Sequence, residues 1–205
     1  MKKDINSNGY IFLYATILIV VVAALLTVAA IVLRPYQDDN KRNEKRVNIL
    51  RAAGIPNVNA DNAAELFEQH CTDEFLLDEK GRPDNNGTLP VFVIDRKISV
   101  IPMKGKGLWG SISGYLAIDR AGTIVGANFD HESETPGLGG EITTEKFQSQ
   151  FRGKPIRENG QLVPIEFDAI TGATKTSNGV KEMIDKTLER YKPFLETLAN
   201  AKEMK

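Results

Sequence analysis

Apolar residues are distributed along this chain in two different ways. From Tyr10 to Leu33 the sequence reads YIFLYATILIVVVAALLTVAAIVL, without a charged residue. At 1.5 Å per residue the stretch makes about 36 Å of helix, enough to cross a hydrocarbon core of roughly 30 Å. Tyr10 and Tyr14 near one end, and Arg34 with Tyr36 at the other, are amphipathic residues suited to the headgroup level. Lys2 and Lys3 resemble the basic start of a signal peptide, but such peptides carry an apolar core of only about 7–15 residues. The pattern predicts an uncleaved single-span anchor over residues 10–33, preceded by a short tail of residues 1–9. Lys2 and Lys3 on one flank stand against Arg34, Lys41, Arg42, Lys45 and Arg46 on the other. By the positive-inside count the second flank, and the domain behind it, belongs in the cytoplasm, although a translocated domain weakens that rule.

Beyond Pro35 apolar residues recur with short periods. Residues 34–46 read as a linker entering a first helix, whose face is Val47, Ile49 and Leu50 and whose end is set by Gly54 and Pro56. A second helix is expected from a cap near Asn59 or Asp61 to about His70. Strand-like runs follow at Phe75–Leu77, Val91–Ile94 and Ile98–Ile101, and then Ser113–Ile118 pairs with Thr123–Phe129 across Asp119-Arg120-Ala121-Gly122. The spacing then predicts a helix over roughly Thr143–Phe151 and a second hairpin turning at Asn159-Gly160. A long helix over about Thr174–Leu198 is marked by Val180, Ile184, Leu188, Tyr191, Leu195 and Leu198, with Pro193 expected to kink or break it. Hairpins beside flanking helices, without alternating βαβ units, give an α+β domain with an antiparallel sheet over residues 47–205.

Charge narrows the function. The 205 residues carry 26 Lys plus Arg against 27 Asp plus Glu, a net charge of −1, which does not fit a nucleic-acid binder. One cysteine, Cys71, excludes an internal disulfide, an all-cysteine iron–sulfur site and Cys-x-x-Cys-His haem attachment. His131-Glu132 lacks the second histidine of H-E-x-x-H, so no metal site is assigned.

Three segments hold candidate chemistry, each with a plain structural alternative. Gly105-Lys106-Gly107-Leu108-Trp109-Gly110 matches G-x-G-x-x-G, but the strand that follows it removes the dinucleotide reading. A tight turn and a ligand-lining loop that uses Trp109 both remain. Glu134-Thr135-Pro136-Gly137-Leu138-Gly139-Gly140-Glu141 is either an ordinary surface loop or one whose glycines let backbone approach a flat or anionic ligand. Asp168-Ala169-Ile170-Thr171-Gly172-Ala173-Thr174-Lys175-Thr176-Ser177 opens the last helix with four hydroxyls. One suffices for capping, and the surplus favours an anion site.

The last segment meets D-x-x-[ST]-G-A-[ST]-x-[ST] at Asp168, Thr171, Gly172, Ala173, Thr174 and Thr176, and so resembles the covalent FMN-binding domain family. Within it, the anchor, Gly105–Trp109, Glu134–Glu141 and Thr174-Lys175-Thr176-Ser177-Asn178-Gly179-Val180 are most similar to the C-subunit group of sodium-translocating NADH:quinone reductases. The G-type member of Rnf electron-transport complexes shares the anchor and the threonine motif, and an anchored binding module without redox work is the alternative from another class. The resemblance implies FMN joined by a flavin transferase through a phosphoester to Thr176, with Thr174, Gly172 and Ala173 near the phosphate. It also implies that Trp109, Glu134, Thr135, Gly137 and Leu138 line the flavin ring, and that Asp168 serves the transferase. The implied protein is a membrane-anchored electron-transfer subunit, not a complete enzyme alone, that relays electrons among other subunits. Its flavin domain then lies on the periplasmic side of the inner membrane, against the charge count. Lys175 departs from the apolar residue often found between the two hydroxyls, and the segment before Asp168 is shorter than in typical members.

Overall fold

The computed structural model describes residues 8–203, so the tail bearing Lys2 and Lys3 lies outside the described residues. Two compact units are present, with their boundary after Arg42. In the first, helix α1 (Asn8–Ala52) contains an 18-residue window of mean hydropathy 3.1, none of it buried. The large apolar side chains from Ile11 to Leu33 are exposed. The hydroxyls of Thr16 and Thr27 donate to the carbonyls of Phe12 and Ala23, both at 2.8 Å, so neither polar group is left unpaired along this apolar surface.

The expected linker after Pro35 is instead helical, since α1 continues to Ala52. Proline costs the helix one donor and crowds the preceding turn. The residues beyond it, among them Gln37, Lys41, Arg42, Glu44 and Lys45, are strong helix formers, and Asp39 pairs with Arg42 three residues on.

In the second unit, strands β1 (Cys71–Leu77), β2 (Leu89–Ile94), β3 (Ile98–Lys106), β4 (Ser111–Asp119) and β5 (Ile124–His131) form one antiparallel meander in chain order. Alternation along the strands divides the core in two. Val91, Ile101, Met103, Leu116, Ile118 and Phe129 face one layer, while Phe92, Ile94, Val100 and Ala117 face the other. The second layer is closed by Val47, Ile49 and Leu50 at the end of α1 and by Ala63 of α2 (Ala63–His70). The first layer is closed by α4 (Thr174–Glu203) through Val180, Met183, Ile184, Leu188, Tyr191 and Leu195, at the spacing read from the sequence. Tyr191 also donates its hydroxyl to the Pro90 carbonyl at 2.9 Å.

The helix expected over Thr143–Phe151 is divided into a 3-10 turn at Gly139–Thr143, a single α-turn α3 (Glu145–Gln148) and a second 3-10 turn at Ser149–Phe151. Thr144, with ψ of 146°, is extended and interrupts the helix. Phe147 and Phe151 hold the segment by edge-on packing against Phe129 and Phe167. The second hairpin forms at Asn159 and Gly160, both at positive φ, between two-residue strands β6 (Arg157–Glu158) and β7 (Gln161–Leu162). Of the kink or break expected at Pro193, the break does not occur: helix α4 runs through it. Gly81 packs directly on the backbone of Pro193 and Phe194, where a Cβ would not fit.

Candidate functional site

The three segments singled out in the sequence meet at the first turn of α4, and a buried carboxylate joins them. Glu134, 4% exposed, follows β5 at the start of the glycine-rich loop. Its Oε2 accepts the Thr176 hydroxyl at 2.5 Å, and its Oε1 accepts the Trp109 N–H at 2.8 Å. Burial pushes the Glu134 carboxyl up. Hydrogen bonds from the Thr176 hydroxyl and the N–H groups of Trp109, Gly110 and Leu108 outweigh it and hold the group below its ordinary value. Its own N–H donates to Nδ1 of His131 at 3.2 Å, which ties the loop to the end of β5.

This arrangement gives the glycines a role the sequence did not reveal. A Cβ on Gly107 would strike Glu134 Oε1 and lie 2.9 Å from its Cδ. A Cβ on Gly139 would strike Oε2 and lie 2.7 Å from Thr176 Oγ1. Both positions are small because backbone closes on the carboxylate. Gly137, at φ +74° after Pro136, makes the turn that the Leu138 N–H closes onto the Thr135 carbonyl at 3.1 Å.

Two of the four hydroxyls are consumed internally. Thr176 is 1% exposed and bound to Glu134. Ser177 Oγ accepts the Ile170 N–H at 3.0 Å and donates to the Ala173 carbonyl at 3.1 Å, clamping the turn before the helix. Gly172, at φ +80°, shapes that turn, and the Ala173 N–H is spent on the Ile170 carbonyl at 2.9 Å. Thr171 and Thr174 remain exposed, as does Lys175. Asp168 is also exposed, and the Gln150 side-chain amide holds its backbone, accepting the Asp168 N–H at 2.7 Å. Asp168 and Thr171 line a cleft of about 520 Å³ with Lys146, Phe147 and Gln150.

Around this turn the domain displays large apolar side chains to solvent. Trp109 is 68% exposed, Leu108 43% and Leu138 41%, and Leu138 lies against Gly172. In a domain whose other large apolar residues are nearly all packed, this is an apolar patch of the kind that marks an interaction or ligand-binding surface. Beside it, the first turn of α4 offers N–H groups without intrahelical acceptors and the positive end of the helix dipole, and the turn contains no acidic residue. An apolar ring joined to a phosphate, as in FMN, fits both features.

Of the residues expected at the flavin, Trp109, Leu138, Thr135, Gly137, Gly172 and Thr174 lie on the surface of these segments. Glu134 and Thr176, the other two side chains assigned to the flavin by the resemblance, are buried and paired with each other. The Ala173 N–H is not free for a phosphate. Gln150 was not singled out in the sequence, and neither the role of His131 in holding the loop nor that of Ser177 in clamping the turn is legible there, because each depends on a backbone partner that only the fold brings into place.

The profile of the FMN-binding domain family matches residues 107–189. The C subunit of the Na(+)-translocating NADH-quinone reductase of Pasteurella multocida is 27% identical, with 97% of each chain covered. Its counterpart in Chlamydia muridarum is 34% identical over 49% of this chain, and the match spans 41% of that protein's length. The solved structure of the C subunit from Parabacteroides distasonis superimposes with a TM-score of 0.71 at 34% identity, covering 80% of this chain and 96% of that one.

Proposed function

The chain belongs to the C-subunit family of the Na(+)-translocating NADH-quinone reductase, and from that premise we propose that it is the anchored carrier of an FMN esterified to Thr174. Family membership favours this reductase over the Rnf complex. Bound FMN supplies one-electron and hydride chemistry, and the protein supplies its position and surroundings. Leu108, Trp109 and Leu138 offer the ring an apolar face, and the first turn of α4 with Lys175 favours the phosphate. Electrons then pass between this polypeptide and its neighbours in the complex.

The observation that carries the assignment is the contrast between two threonines. The Thr176 hydroxyl is buried and already given to Glu134, with Gly139 packed on it, so neither a transferase nor a phosphate has room there. Thr174, one position from Gly172-Ala173, is exposed on the same turn. This moves the ester from the hydroxyl that the sequence motif singles out to the one a transferase can reach, with exposed Asp168 as part of what that enzyme recognises. Residues 10–33 anchor the protein as a single span in the inner membrane, with the flavin domain on the periplasmic side.

The test is in-gel flavin fluorescence after denaturation, with protein made in a host that has the transferase. Thr174→Val should abolish the signal. Thr176→Ser, which keeps the donor to Glu134, should retain it. Fluorescence that survives Thr174→Val and disappears in Thr176→Val refutes the Thr174 assignment, and a wild-type protein without covalent flavin refutes the carrier reading itself.

A further inference from the structure

We propose that Glu134 is a positioning residue that fastens the Trp109 loop to the flavin-bearing turn of α4, and that its buried negative charge lowers the reduction potential of the FMN held there. The inference rests on the carrier reading above. Glu134 touches all three segments: it begins the glycine-rich loop, receives the Trp109 N–H, and receives the Thr176 hydroxyl. Gly107 and Gly139 close over its two oxygens, and the residue is buried.

The hydrogen bonds alone do not require a carboxylate. A glutamine oxygen would accept the Trp109 N–H, and its amide would donate to Thr176, whose hydroxyl has lone pairs to receive it. What the carboxylate adds is a full charge. Among the described ion pairs none involves Glu134, so its neutralisation comes only from dipoles. A charge enclosed in protein acts on its surroundings through a low effective dielectric. Reducing the ring adds negative charge beside it, so this field opposes reduction and keeps the carrier a ready donor.

The experiment is a potentiometric titration of the flavin-loaded full chain in detergent. Glu134→Gln preserves shape and hydrogen-bonding capacity and removes the charge. The equilibrium constant for flavin reduction should rise on the order of tenfold, about 30 mV for a two-electron couple. An unchanged or lowered potential overturns the electrostatic part. If Glu134→Gln does not fold, Thr176→Val decides, because the charge stays while one donor is lost. The potential should then hold or fall, and a rise overturns the proposal. The fastening is read without any flavin, in Thr174→Val protein. Trp109 is the single tryptophan, and its fluorescence anisotropy should drop when Glu134→Ala is added. Unchanged anisotropy overturns the fastening, and this arm stands even if the wild-type protein carries no flavin, the outcome that sinks the carrier reading instead.

Discussion

Replacing Gly139 by alanine tests the closure over Glu134 with one carbon atom. A Cβ there would collide with Glu134 Oε2 and sit 2.7 Å from Thr176 Oγ1 and 3.2 Å from Glu134 Cβ. None of these atoms is the free end of a mobile side chain, because Glu134 and Thr176 are buried and bound to each other. Forcing a methyl into such a site costs about 1–3 kcal/mol. Breaking the hydrogen bond between Thr176 and a charged acceptor adds roughly 1.5–3 kcal/mol if the clash is relieved that way. Partial strain together with partial loss of the bond should cost about 2–4 kcal/mol. For a protein of this size that lowers the melting point by roughly 5–15 °C.

Gly137→Ala is the matched control. Its Cβ meets nothing within 4 Å, and its cost is the positive φ of 74° alone, about 1 kcal/mol after the gain from a stiffer unfolded chain. Urea unfolding of the full chain in detergent, followed by Trp109 emission, compares the two. Thr176→Ala supplies a third arm, because removing Oγ1 makes room for the new methyl. The Gly139→Ala, Thr176→Ala double variant should therefore lose less than the sum of the single losses. Gly139→Ala no less stable than Gly137→Ala, or strict additivity with Thr176→Ala, refutes the packing argument.

Two other outcomes are expected. Burial pushes the Tyr191 hydroxyl up to about 12 from its ordinary 10. Its contribution to stability is therefore complete below about pH 10 and lost as pH rises through about 12, and Tyr191→Phe should flatten that part of the profile while costing about 1 kcal/mol at neutral pH through the bond to Pro90. For topology, Asp39→Cys in a Cys71→Ser background should react with a membrane-impermeant thiol reagent in intact cells whose outer membrane is permeable to it. Labelling only after the inner membrane is opened would place the flank where the positive-charge count puts it.

Periodicity made most of the fold legible. Alternation found the strands of the meander, a 3.6-residue repeat found α4, and Asn159-Gly160 fixed its hairpin. The polar run after Pro35 misled, because its composition was weighed without the helix propensity of its residues, and at Pro193 the helix is unbroken. Pro35 sits among strong helix formers, and Pro193 lies where Gly81 packs on the helix. The site was legible as segments but not as contacts. A run of glycines and a run of hydroxyls each say that backbone must come close to something, and sequence does not say to what.

Part of the answer is internal. Gly107 and Gly139 lie in different loops far apart in the chain, and they are small for one reason, the carboxylate of Glu134 between them. That carboxylate in turn consumes Thr176, and Ser177 is spent in clamping the turn, so the surplus of hydroxyls shrinks to Thr171 and Thr174. The surface left over is what a ligand can use: exposed Trp109, Leu108 and Leu138 beside an exposed threonine at a helix start. A carrier needs its cofactor accessible to partners while held in one place. Burying the charged and hydroxyl groups that join the loops, and leaving the apolar ones outside, meets both needs with the same few residues.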